Sequence, residues 1–250
     1  AVAPALGWTN RIRDHLNLIW PDMPEDDVRR MLRLVPDNAG RTLIENFSTD
    51  DLLARARQTP VSGPGLEALE AARADGRPVI LVTGHFGNFE AARAALTVRG
   101  FQVGGLYRPL ANAYFNSYYK RTMEAFGGPV VPQGRKGTTA FVRALKSGGM
   151  MVLLYDLYVQ EAPLIPFLGK PARTATSAAE MAVRYGALLI PFFATRQPDG
   201  LEFDVALEAP VEHRDPIEMT AELNARLEAR IVANPEQWFW IHRRWKGVSA

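Results

Sequence analysis

The sequence predicts an α/β fold: a layered, largely parallel or mixed central sheet flanked by helices, preceded by an N-terminal helical segment. Three observations point there. From residue 66 onward, short apolar runs of strand length alternate with helical stretches, the pattern of strands joined by crossover helices. Before residue 57 the apolar residues recur only at helical spacing. At 250 residues, 47% hydrophobic and 22% charged, the chain has enough apolar material for one substantial core.

Taken in order, the chain opens on a short apolar tag, Ala1 to Gly7. Ile12, Leu16, Leu18 and Ile19, then Val28, Met31, Leu32 and Leu34, predict two or three helices between Asn10 and Arg57. Breaks are expected at Trp20-Pro21 and Val35-Pro36, because proline lacks an N–H and crowds the preceding turn. Gln58 to Gly65, with two prolines and two glycines, reads as a connector. The organisation is thus a helical segment, 1–57, and an α/β core, 66–250, within one structural domain. Strands are expected at Pro78 to Thr83, Gln102 to Tyr107, Val130-Val131, Met150 to Tyr155, Leu188 to Ala194 and Phe203 to Leu207. Helices are expected at Phe89 to Arg99, Ala113 to Phe126, Thr138 to Lys146, Thr176 to Arg184 and Met219 to Ala233.

Composition removes several classes of function. With 29 basic and 27 acidic side chains the net charge is only +2, far from a nucleic-acid footprint. No cysteine is present, which excludes disulfides, thiolate metal sites and a cysteine nucleophile. The longest strongly apolar stretches, Met150 to Tyr155 and Ala187 to Ala194, fall well short of the roughly 20 residues that span a bilayer. His15, His85, His213 and His242 are scattered without ligand spacing, so neither a metal nor another cofactor is expected.

The sharpest feature is Thr83-Gly84-His85-Phe86-Gly87-Asn88-Phe89-Glu90, where a strand should end and a helix begin, the place where α/β proteins gather ligand chemistry. Within one regular helix His85 and Glu90 would diverge by roughly 140°; they can meet only if His85 lies in the entering turn, which Gly84 and Gly87 make easy. Glu90 would then hold one imidazole nitrogen and leave the other to accept a hydroxyl proton. The opposing reading is a hydrogen-bonded structural histidine. The nearby helix N-terminus favours an anion and offers donors to an oxyanion, which makes Asn88 a substrate-binding candidate.

Arg108, in Tyr107-Arg108-Pro109 after the next strand, offers planar donors for a phosphate or oxyanion, or is simply an exposed arginine. Asp156 ends another strand, able to orient a substrate or cap a turn. Gln133 to Thr138 is a basic surface loop without phosphate-loop spacing. Pro163 to Lys170 reads as a proline-punctuated apolar loop, either an acyl-chain wall or core. Gln237 to Lys246 interleaves aromatic and basic residues; Arg243, Arg244 and Lys246 are candidates for contact with an anionic membrane, unless the segment is a docked terminal strand.

In combination, Gly84 to Glu90, Tyr107-Arg108-Pro109, Pro166 to Ala172, and Pro235 to Trp238 with His242-Arg243-Arg244 resemble the lauroyl/myristoyl acyltransferases of lipid A biosynthesis, in the expected order from about Asn10 to Lys246. The resemblance implies a glycerol-phosphate-acyltransferase-like fold and a bacterial enzyme at the cytoplasmic face of the inner membrane. Its implied reaction moves a fatty acyl group from acyl carrier protein, or alternatively coenzyme A, to a hydroxyl of a lipid A precursor. His85 and Glu90 fall on the two functional positions of the family's His-x-x-x-x-Asp/Glu motif, and Arg108 matches its Tyr-Arg-Pro. Two departures stand out. The family's apolar N-terminal anchor is missing from this sequence, so peripheral attachment is expected. Asp156-Leu157 also stands where many members have Asp-Gln or Asp-His. Other lipid acceptors, a noncatalytic lipid-binding relative and a metallohydrolase are the competing readings.

Overall fold

The computed structural model describes residues 7–247; Ala1 to Leu6 of the apolar tag lie outside the described residues. Three helices come first: α1 (Trp8–Ile19), α2 (Glu25–Phe47) and α3 (Thr49–Ala56). In α1, Ile12, His15 and Leu16 are buried at spacings of three and four, one face of a helix. The expected break at Val35-Pro36 does not occur, and Pro36 lies inside α2. Pro36 removes one donor, but burial of Val28, Met31 and Val35 against the core carries the helix through it.

The stretch read as a connector is partly ordered. It holds a short strand, β1 (Val61–Ser62), and the start of a helix absent from the sequence reading, α4 (Pro64–Asp75). Pro64 stands at the first helical position, where its missing N–H has no cost, and Gly76 closes the helix in the left-handed region. There follow β2 (Val79–Thr83), α5 (Phe89–Thr97), β3 (Val103–Tyr107), α6 (Ala113–Ala125), β4 (Val130–Pro132), α7 (Arg135–Lys146) and β5 (Met150–Leu154). The segment expected as an apolar loop is instead a hairpin of β6 (Leu164–Phe167) and β7 (Lys170–Arg173). Leu168 and Gly169, both at positive φ, make its two-residue turn. The chain continues through α8 (Ser177–Tyr185), β8 (Leu188–Arg196), β9 (Phe203–Leu207), α9 (Pro216–Ala233) and a 3₁₀ turn at Pro235–Gln237.

Seven strands form one sheet in the order β1-β9-β8-β2-β5-β3-β4. Only β8 and β9 pair antiparallel, so the expected α/β class with a largely parallel, mixed sheet is what forms. Alternate residues of β2 serve opposite faces, as the two-residue strand period requires. Ile80 and Val82 belong to the apolar core built with residues of α1, α2, α7, α8 and α9. Val79 and Leu81 belong to a second apolar core, built with residues of α3, α4 and α5. The second face admits α5 closely because its contact residues are small: Ala91, Ala92, Ala94 and Ala95 are all buried.

Candidate active site

β2 and β5 run parallel, with Thr83 opposite Leu154, and this register carries His85 and Asp156 to the same end of the sheet. Asp156 is buried and its carboxylate has three donors. The His85 ring Nδ1 lies 2.7 Å from Oδ1, the His85 backbone N–H donates to Oδ2 at 2.8 Å, and the Trp238 indole N–H donates to Oδ2 at 2.9 Å. Gly84 makes the approach possible, since a Cβ there would stand 2.9 Å from Asp156 Oδ2. Burial pushes the Asp156 carboxyl up, but the His85 ring and the hydrogen bonds from His85 and Trp238 outweigh it and hold the group down at about 2. The carboxylate therefore stays ionised and fixes Nδ1 of His85 as a donor. His85 is half-buried, and its Nε2 forms no hydrogen bond among the described residues.

This geometry differs from the expected one. Glu90 does not reach His85; it is buried and paired with Arg93 at 2.5 Å. Arg93 in turn donates to the carbonyls of Val103 and Met123, tying α5 to β3 and α6. Burial pushes the Glu90 carboxyl up, and the Arg93 guanidinium opposes this without cancelling it. Asp156 occupies the orienting position that the sequence reading gave to Glu90. The sequence places Asp156 at a strand end but cannot say that β5 is the neighbour of β2.

The turn between His85 and α5 is held from behind. Gly87 has φ +55, and a Cβ there would meet the Ala194 carbonyl oxygen at 1.8 Å, so no other residue fits. Its N–H donates to Gln237 O and its carbonyl accepts from Thr42 Oγ1. Asn88 caps α5: its side chain accepts from the N–H groups of Glu90 and Ala91. Those donors are thereby taken, and the Asn88 amide itself donates to Glu45 Oε2 at 2.9 Å. Glu45, on α2, is buried in an ion pair with Arg196 on β8. Asn88 is thus engaged in capping and in this network. Glu45 and Arg196, which hold Asn88 from behind, have no signal in the sequence, and Gln237 and Trp238 appear there only as part of a motif without a role, because each is brought in from a remote element.

In front of His85 lies a cavity of about 130 Å³, lined by Val35, Ala39 and Thr42 of α2 and by Phe89, Trp238 and Phe239. The lining is mostly apolar. The cavity is smaller than the roughly 300–1,000 Å³ of common ligand pockets, so it suits the reacting end of a longer molecule. Arg108 is exposed at the end of β3, which β5 separates from β2. That places it about 10 Å from the histidine strand.

The C-terminal segment corrects its expected role. Trp238, Trp240 and Trp245 are core residues, packed on one another and on Phe167. Arg244 is fully buried, with its guanidinium over the Phe167 ring and donating to Arg173 O and Thr174 Oγ1. It cannot touch a membrane; only Arg243 and Lys246 of the expected trio are exposed. His242 accepts the Tyr158 N–H at 2.9 Å, and burial holds its ring down at about 4, so it is neutral at pH 7.

The chain is similar to the lipid A biosynthesis lauroyltransferase of Escherichia coli K12, at 27% identity over 246 residues covering 94% of this chain and 78% of the relative. It is also similar to two proteins of Haemophilus influenzae named lipid A biosynthesis acyltransferase. One is 25% identical over 71% of this chain and 56% of its own length; the other is 24% identical over 94% and 76%. The profile of the bacterial lipid A biosynthesis acyltransferase family matches residues 5–247, nearly the whole chain, so this protein belongs to that family and is an acyltransferase moving groups other than aminoacyl groups.

Proposed function

We propose that the protein transfers a fatty acyl chain from an acyl carrier protein thioester to a hydroxyl of a lipid A precursor, at the cytoplasmic face of the bacterial inner membrane. The observation that carries this reading is the His85–Asp156 pair beside an apolar cavity, with Nε2 of His85 free of hydrogen bonds among the described residues. It is the base and orienter of a hydrolase triad without a nucleophilic side chain of its own, so the acceptor supplies the hydroxyl.

Nε2 takes the proton of the acceptor hydroxyl as its oxygen attacks the thioester carbonyl carbon. The ionised Asp156 stabilises the imidazolium through Nδ1. The tetrahedral intermediate collapses, the C–S bond breaks, and the departing thiolate takes the proton back from Nε2. The new ester and the free thiol leave, and His85 returns to its starting state. In this reading Glu90 supports the site through Arg93 and α5, and Asn88 shapes the turn. Arg108 grips a phosphate of the acceptor with its planar fork.

The test is incubation of the purified protein with isotopically labelled acyl carrier protein thioesters and a lipid A precursor, followed by mass analysis of the lipid. The expected product is heavier than the precursor by one labelled acyl chain. Free fatty acid alone, with no acylated lipid, would overturn the assignment.

A further inference from the structure

Charge is distributed very unevenly along this chain. Residues 101–146 hold seven lysines and arginines and one acid, Glu124, whereas the whole chain holds 29 basic and 27 acidic residues. The remaining residues therefore carry four more acids than bases. The basic stretch comprises β3, α6, β4 and α7, which form one edge of the sheet. Glu124 is paired with Lys120 at 2.9 Å. Arg121, Arg135 and Lys136 are exposed and form no ion pair among the described residues.

The same edge carries apolar surface. Tyr114 and Tyr118 are exposed on α6, and Arg121 follows them at helical spacing on the same face. Phe115 and Tyr118 pack on Phe47 of α2 with ring centroids 5.5 and 5.4 Å apart. This joins α6 to Leu43 and Ile44, one turn before Phe47, which are 59% and 68% exposed. Tyr114 is 91% exposed. A continuous apolar and aromatic patch on a protein surface marks an interaction site. Tyr114 and Tyr118 beside the unpaired Arg121, with Arg135 and Lys136 at the start of α7 beyond the edge strand β4, have the composition of a surface that lies in an interfacial membrane layer. The patch also adjoins the site, since Ala39 and Thr42 on the preceding turns of α2 line the cavity before His85. The nearest acids beyond Phe47, Asp50 and Asp51, lie in the first turn of α3.

We propose that this aromatic and basic edge, formed by the end of α2 with α6 and the start of α7, is the face that seats the protein on an anionic bilayer. The cavity mouth then opens beside the lipid. The proposal rests on the reading that the acceptor is a membrane lipid, and it moves the membrane contact away from the C-terminal segment.

Sedimentation with phosphatidylcholine vesicles, with and without phosphatidylglycerol, tests it. Binding should require phosphatidylglycerol and weaken as salt rises. Replacing Arg121, Arg135 and Lys136 by Gln should lower the partition coefficient at low salt by about fivefold per charge. Ile44→Ser with Tyr114→Ser should lower it further, whereas Arg243→Gln with Lys246→Gln should leave it unchanged. All of these positions are exposed, so circular dichroism should report an unchanged fold. Absence of binding by the parent, or equal binding by every variant, overturns the proposal. So does loss of acyl carrier protein binding in the charge variants while vesicle binding persists, which would make the edge a protein dock. Transfer to a detergent-dispersed acceptor separates the two readings. If the parent binds vesicles in the expected pattern yet transfers nothing, the activity assignment falls and the docking face stands. If transfer proceeds and no variant alters vesicle binding, only the docking face falls.

Discussion

Two buried carboxylates, Glu45 and Asp156, each paired with a basic side chain, flank the turn from Gly84 to Asn88, and the pairs differ in what they leave over. Glu45 and Arg196 are closed: Arg196 also donates to Asn38, Thr42 and Gly200, and Glu45 also accepts from Asn88. His85 and Asp156 are open, because the carboxylate has three donors while the second imidazole nitrogen, on a ring that lines the cavity, forms no hydrogen bond among the described residues. A buried charge whose partners are complete can only hold structure. A buried charge that completes itself on a half-exposed histidine leaves that histidine with a basic lone pair fixed in direction. Counting hydrogen bonds separates scaffold from chemistry, where burial of the two carboxylates alone would rank them together.

The largest effect expected is on rate. His85→Ala should lower acyl transfer by about 100-fold to 10,000-fold, the usual cost of removing a general base, in a protein that still folds but melts below the parent because Asp156 loses its Nδ1 donor. Lipid mass analysis and calorimetry on one preparation check both halves; normal turnover by a folded variant would sink the mechanism.

Glu45→Ala should do the reverse. Leaving Arg196 buried without its carboxylate should cost about 3–5 kcal/mol of stability, read from urea unfolding. The rate per folded molecule should fall far less than in His85→Ala. A stable but inactive Glu45→Ala protein would mean that the closed pair also takes part in the chemistry.

Trp238→Phe sharpens the comparison by removing one of the three donors to Asp156. The lost charge-assisted bond should cost about 1.5–3 kcal/mol. The Asp156 carboxyl, now at about 2, should titrate higher. Because its folded value is depressed, its contribution to stability is present above the unfolded value near 3.9 and is lost as pH falls toward 2. In the variant that loss should be smaller and complete at higher pH, which carboxyl NMR combined with unfolding at several pH values would show.

A pH effect of about the same size is expected at His242. Its ring is held down at about 4 by burial, so the stability it contributes is complete above the unfolded value near 6.5 and is lost as pH falls toward 4. The fall in melting temperature between pH 7 and pH 4 should therefore be shallower in His242→Gln than in the parent. Parallel pH profiles for the two proteins would show that the ring is solvated in the folded state.

Features within a few residues of one another were legible in the sequence; features that depend on strand order were not. The turn after β2, the position of His85 and the ends of β3 and β5 follow from local pattern, because glycines, apolar runs and strand ends are short-range signals. Glu90 looked like the partner of His85 because it was the nearest carboxylate along the chain. The carboxylate nearest in space, Asp156, is 71 residues away in sequence and arrives through the pairing of β2 with β5. The same limit explains the C-terminal segment. Alternating aromatic and basic residues look amphipathic in one dimension, whereas Trp238 bridges to Phe86 and Arg244 reaches β7 and the residue after it. Helix α4 is not legible in the sequence for a different reason: its alanine-rich surface carries little hydrophobic contrast.

β2 has a hydrogen-bonded parallel neighbour on each side, β5 and β8, and every one of its five residues is buried. Amide protons in such a strand exchange with solvent only when the whole molecule opens, whereas short edge strands exchange through local fraying. In deuterated buffer Val79 to Thr83 should therefore be among the last amides to exchange, and Val130 and Val131 of β4 among the earlier ones. The histidine is mounted two residues beyond a strand expected to exchange among the last, so the reacting nitrogen should keep its aim even when edge strands fray.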